Sequence, residues 1–173
     1  MLLRLLGTVA IMVGSVGLGL YFSSREDFRA RELLEFKRAL LILSSEIDFM
    51  ATPISMACAN IAHRIEGEMA NLFKDFASLL EKATGETASQ IWDRALVAIK
   101  EKTFLSPEDQ NMLKGFGKTL GYLDKQMQQN AINYTISYID ETLGAIQAKG
   151  AQTKRMYRSL GVIGGLLITI ILW

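Results

Sequence analysis

The chain has 173 residues, half of them hydrophobic, and its 19 Lys and Arg nearly cancel its 18 Asp and Glu. That balance excludes the electrostatic footprint of a nucleic-acid binder. One cysteine and one histidine exclude a disulfide framework and leave a zinc site short of ligands.

Leu5 to Phe22 is a run of 18 residues without a formal charge. At about 1.5 Å per residue it spans roughly 27 Å as a helix, close to the ~30 Å core of a bilayer. A cleaved signal peptide would offer a basic n-region and a small-x-small cleavage site. Here Arg4 is the only basic side chain before the run and Tyr21-Phe22 closes it, so residues 1–24 are expected to remain as an anchor. Gly7, Ala10, Gly14 and Gly17 share one face of that helix, a spacing that lets membrane helices approach closely.

Arg25, Arg29 and Arg31 come next, and a helix follows with Leu33, Phe36, Leu40, Leu43, Ile47 and Met50 on one stripe. Thr52-Pro53 restarts the chain, Thr52 as cap and Pro53 at the first helical position. Ile54, Ala57, Cys58, Ile61 and Ile65 form a second stripe ending near Gly67, and Met69, Leu72, Phe73, Phe76, Leu79, Leu80 and Ala83 a third, stopped by Gly85. Thr87 with Gln90 reads as a capping box before Ile91, Trp92, Ala95, Leu96 and Ile99. Ser106-Pro107 opens a fifth helix with Met112, Leu113, Phe116 and Leu120. Asp124 caps a sixth whose apolar face is Ile132, Ile136, Ile139, Leu143 and Ile146. With no proline beyond it, that helix can run into the last apolar stretch, and Gly150 is its weak point. Short connections between successive helices predict an all-α, antiparallel, up-and-down bundle of about six helices over residues 25–158.

The chain closes on Leu160 to Trp173, 14 uncharged residues in which Gly161 and Gly165 stand four apart. A second anchor over 159–173 is expected, drawing on the preceding turn while Arg158 reaches back to the interface. Lys149, Lys154, Arg155 and Arg158 precede it, and no Lys or Arg follows. Both flanks place the middle of the chain in the cytoplasm, with the juxtamembrane cations facing anionic lipid.

Three local patterns suggest chemistry and fail on spacing. Gly117-Lys118-Thr119 resembles the tail of a phosphate-binding loop, but Met112 stands where the motif needs glycine and no strand precedes it. His63 has no second ligand beside it and suits a helix end. Glu46 and Asp48, two apart on a helix, point to different faces. No catalytic residue, metal or cofactor is expected. The stretch from Gln126 to Ala148 lacks Lys and Arg and is rich in amides, with Gln128 among them. That composition suits a wet protein interface as well as an ordinary polar helix face.

The order of three blocks resembles the stage III sporulation protein AB family of endospore-forming bacteria. They are Leu40–Ile47 with Thr52-Pro53-Ile54, Ala57 and Ile61-Ala62; Phe116–Gly121 with Asp124 and Gln128; and Ser159-Leu160-Gly161. Members are similar to the F-type inner-membrane platform protein of type II secretion and type IV pilus machines, whose cytoplasmic unit is a six-helix bundle. The resemblance implies a non-enzymatic platform in the mother-cell membrane facing the forespore, part of a channel complex needed for endospore formation. Its implied partners are a secretion-type ATPase, the stage III sporulation protein AA, and other membrane components of the channel, with self-association left open. The alternative is a membrane adaptor that recruits channel partners through its apolar helices without touching an ATPase. Partner contacts are expected at two corners: Glu46, Thr52 and Pro53, and Gly117, Gly121, Asp124 and Gln128. A competing reading gives Pro53, Gly117 and Gly121 to turn shape and close packing.

Overall fold

The computed structural model describes residues 25–47, 53–82, 85–120 and 124–172, the last as backbone alone from residue 151 onward. All of its elements are helical. α1 covers residues 25–47, followed by α2 (Ile54–Ala62), α3 (Gly67–Glu81), α4 (Ala88–Ile99), a 3₁₀ turn (Lys100–Lys102), α5 (Pro107–Gly117) and α6 (Lys125–Leu172). α6 is a single helix of 48 residues, about 72 Å long at 1.5 Å per residue. The chain divides into two units, Phe28–Thr142 and the pair Met1–Asp27 with Leu143–Trp173. Among the described residues no helix is long and apolar enough to cross a membrane. The expected anchors lie outside them, 1–24 entirely and 159–173 in their side chains.

Local chemistry sets the starts of α4, α5 and α6. Thr87 accepts from the Gln90 backbone N–H at 3.3 Å while the Gln90 side chain accepts from Thr87 N–H at 2.9 Å, the reciprocal box expected for α4. α5 starts the same way: Ser106 Oγ accepts from Asp109 N–H, and Asp109 Oδ2 accepts from Ser106 N–H, with Pro107 at the first position. Asp124 Oδ1 accepts from Gln126 and Met127 N–H at 2.7 and 3.3 Å. Gly85, beyond α3, holds φ at +76°, where a Cβ would meet the neighbouring carbonyl. Two boundaries differ from the sequence reading. Pro53 is the N-cap of α2 rather than its first residue, because its carbonyl accepts the first helical bond from Ala57 N–H. α2 ends at Ala62 with His63 as C-cap, and Gly67 begins α3 instead of ending α2. There the chain turns back where Glu66 N–H donates to Glu35 of α1.

The Phe28–Thr142 unit is built around Trp92. Its indole, fully buried, lies 5.1 Å from Phe76 and 5.5 Å from Phe73 of α3, 5.7 Å from Phe116 of α5 and 6.3 Å from Phe36 of α1. The Phe73, Phe76 and Phe116 pairs meet edge to face, the arrangement the ring quadrupole favours. Its Nε1–H donates to Leu113 O at 2.9 Å, so the polar edge is satisfied inside the core. Leu33, Leu40, Leu43, Met69, Leu72, Ile91, Ile99 and Leu113 complete the core as expected, whereas Leu79, Leu80, Leu96 and Ile136 are only half-buried. Thr135 takes a buried place on α6, its hydroxyl donating to Ala131 O.

Side-chain bonds set the directions of the helices. Gln129 donates to Ser44 and Lys37 meets Asp140, so α6 runs antiparallel to α1. Arg29 meets Asp109 while Phe36 meets Phe116, so α5 runs parallel to α1. This is the up-and-down order expected of short connections.

Gly117 packs against the same indole. A Cβ built there would stand 2.0 Å from Trp92 Cδ1 and 2.6 Å from Cγ. Gly117→Ala is expected to cost about 1–3 kcal/mol through overpacking, against a near-neutral Gly115→Ala, whose Cβ would meet nothing within 4 Å. Urea denaturation of both variants measures the difference.

Candidate functional site

The expected partner corners converge on one end of the bundle. The end of α1 carries Ser44 and Glu46, and the start of α6 carries Asp124, Gln128 and Gln129, joined by the 2.6 Å bond from Gln129 to Ser44. Glu46 is buried and Pro53 exposed, with Gln128 between these extremes. Thr52 and Gly121 lie outside the described residues. Gly117 is corrected from partner contact to packing residue: it is buried and the Trp92 ring covers it. Asp124 is exposed, and one of its carboxylate oxygens is committed to capping α6. Lys118 and Thr119 fall in the closing turn of α5, with Thr119 Oγ donating to Phe116 O at 2.7 Å.

A groove of about 620 Å³ runs between α5 and α6. Met112 and Phe116 line its α5 side, and Gly115 there leaves a gap that a larger side chain would fill. Tyr134, Thr135 and Tyr138 line the α6 side. Tyr134 is 76% exposed, the most open large hydrophobic side chain among the described residues. Its α6 side falls within the stretch free of Lys and Arg. Tyrosines four apart on such a helix are the sequence signal for this surface.

At the opposite end, α1 is tied to the connection before α5. Arg29 Nε and Nη2 reach the two carboxylate oxygens of Asp109 at 2.6 and 3.0 Å, and Nη2 also donates to Ser106 Oγ. Asp109 is fully buried, whereas the Arg29 side chain keeps 18% of its surface. Arg29 therefore braces the fold, while Arg25 and Arg31 are exposed. The side chains of Lys154, Arg155 and Arg158, and the glycine faces Gly7–Gly17 and Gly161–Gly165, lie outside the described part. Beside this pair Glu32 accepts from Phe104 N–H at 2.9 Å. Its pKa is raised to about 6, first by burial, then by the charges of Glu68 and Asp109, while the Phe104 bond lowers it.

The remaining reactive groups sit in structural roles. Burial pushes the Cys58 thiol up to about 12, too high for nucleophilic work near neutrality. Among the described residues no three His, Cys, Asp or Glu side chains could hold a metal ion.

Comparison with known proteins gives one consistent answer. The family model for stage III sporulation protein AB matches residues 4–173. The stage III sporulation protein AB of Bacillus subtilis (strain 168) is 29% identical over 171 residues, 99% of either chain. A solved structure of a stage III sporulation protein AB superposes with a TM-score of 0.67 at 26% identity, covering 72% of this chain and 97% of that one.

Two predictions follow from the braced end. Arg29→Ala strands a buried carboxylate and is expected to cost about 3–5 kcal/mol. Arg29→Lys, which keeps the charge without the fork, should recover only part of that in equilibrium unfolding. Glu32 binds its proton more tightly folded than unfolded, so its contribution falls as pH rises from 4.5 through 6. Glu32→Gln keeps an acceptor for Phe104 N–H and does not titrate. Its melting temperature should gain on the parent's across that window and hold the gain above it.

Proposed function

The chain belongs to the stage III sporulation protein AB family, and on that premise we propose that it is a non-enzymatic platform of a secretion-like channel complex required for endospore formation. In this reading residues 1–24 and 159–173 hold it in the mother-cell membrane facing the forespore, and the helical bundle lies in the cytoplasm. Arg25, Arg29 and Arg31 against Arg4 and the amino terminus, and Lys149, Lys154, Arg155 and Arg158 against a stretch 160–173 without Lys or Arg, support that orientation. A helical domain fixed at both ends to a bilayer can orient a partner and raise its effective concentration there.

The observation that carries the proposal is the α5–α6 groove. Exposed Tyr134 and half-buried Tyr138 beside Met112 and Phe116, on an α6 face without Lys or Arg, form the composition of a protein-binding hot spot. The partner proposed for it is a cytoplasmic secretion-type ATPase resembling stage III sporulation protein AA. Through that contact the ATPase would be coupled to the other membrane components of the channel.

Full-length protein in lipid vesicles should bind such an ATPase and change its turnover. Tyr134→Ala with Tyr138→Ala should weaken binding about tenfold or more, as loss of hot-spot residues does, with the melting temperature nearly unchanged. A reporter fused at Gly85 should read cytoplasmic. Unaltered binding by the double variant moves the contact off the groove, and no association with the ATPase removes the coupling role.

A further inference from the structure

Six phenylalanines fall among the described residues. Phe36, Phe73, Phe76 and Phe116 are buried in the core, while Phe28 and Phe104 are 45% and 38% exposed. The exposed pair stack on each other, ring centroids 4.9 Å apart and planes within 20°. Phe104 is held in place by the bond from its N–H to Glu32 and by the Arg29–Asp109 bridge just after it. It also follows the 3₁₀ turn Lys100-Glu101-Lys102, whose three side chains are exposed. Arg31 lies over the Phe28 ring at 5.7 Å. Arg31 at the ring and Lys100 and Lys102 in the turn are thus the basic neighbours of an aromatic pair that water leaves poorly solvated, with Glu26, Asp27 and Glu101 as the exposed acids of the same segments.

From this juxtaposition we infer that the Phe28–Phe104 stack, with Arg31, Lys100 and Lys102, is a peripheral contact for anionic phospholipid. Aromatic rings entering the headgroup boundary beside basic side chains are the composition of surface-bound membrane elements. Distance along the chain favours the same occupant. Phe28 follows Phe22, the last residue of the first apolar run, by six positions, and six residues span at most about 22 Å. If that run is an anchor, the patch cannot leave the neighbourhood of the bilayer. The inference therefore rests on the anchored reading, and adds that the bundle itself touches lipid through the α4–α5 connection.

The test uses the full chain in vesicles of phosphatidylcholine alone and of phosphatidylcholine with phosphatidylglycerol. A fluorophore is placed at Glu101→Cys, or at Ser78→Cys, an exposed control on α3. Cys58 is buried and its thiol protonated, so it does not compete for label. Nitroxide lipids should quench the label at 101 several-fold more than the label at 78 when phosphatidylglycerol is present. The excess should vanish in phosphatidylcholine alone, at high salt, and in Lys100→Gln with Lys102→Gln or in Phe104→Ser. Equal quenching at 101 and 78, in a chain that stays with the vesicles through alkaline extraction, overturns the lipid contact and leaves the anchors standing. Protection of the label at 101 that rises with protein density and ignores lipid charge means copy-to-copy contact, and also overturns it. Release of the chain by alkaline extraction removes the anchored reading and this inference together.

Discussion

Four helices meet at one indole. Trp92 receives rings from α1, α3 and α5 and spends its single donor on the α5 backbone, so position and orientation are both specified. A smaller apolar residue there would leave the rings of Phe36, Phe73, Phe76 and Phe116 free to repack, and close packing tolerates such gaps poorly. The same demand explains why α5 ends on glycine: a Cβ at Gly117 would run into the indole. The surface depends on the core in turn, because α5 forms one wall of the tyrosine-lined groove and must be held at fixed depth for the groove to keep its shape.

The two ends of the bundle are organised by different interactions. At the start of α1 a buried ion pair and a capping box interlock through Ser106 and Asp109, drawing α1 and the head of α5 together. Arg29 supplies two parallel donors to a carboxylate that water does not reach, the geometry in which arginine outperforms lysine. At the far end an amide–hydroxyl bond joins α6 to α1, and Asp124 caps α6. The Arg29 end carries the exposed cations and aromatic pair, while the far end gathers the corners with the family-like blocks.

Features encoded by neighbouring residues were legible in the sequence. The Thr87–Gln90 box, the Ser106-Pro107 start and the Asp124 cap are each written within four positions, and the apolar stripes follow the helical period. The full-length family match agrees with the order of the three blocks. Features that depend on distant partners were not legible. Nothing local distinguishes Arg29 from Arg25 or Arg31, because its carboxylate lies 80 residues away. Gly117 looks like a turn residue until the Trp92 ring is placed against it. Thr135 joins the core because its hydroxyl is satisfied within its own turn, which hydropathy does not register. The tyrosine pair is visible as an i, i+4 repeat, but its groove needs Gly115 from another helix.

The wide chain separation of the α1 contacts has a bearing on biosynthesis. Arg29 waits 80 residues for Asp109, and Lys37 waits 103 for Asp140. At ribosomal speeds of about 5–20 residues per second, that interval is roughly 4–20 s. Over that time the apolar stripe of α1 emerges before the helices that will cover it exist. The first helix of the nascent polypeptide thus keeps part of its apolar side uncovered until α5 and α6 have been made.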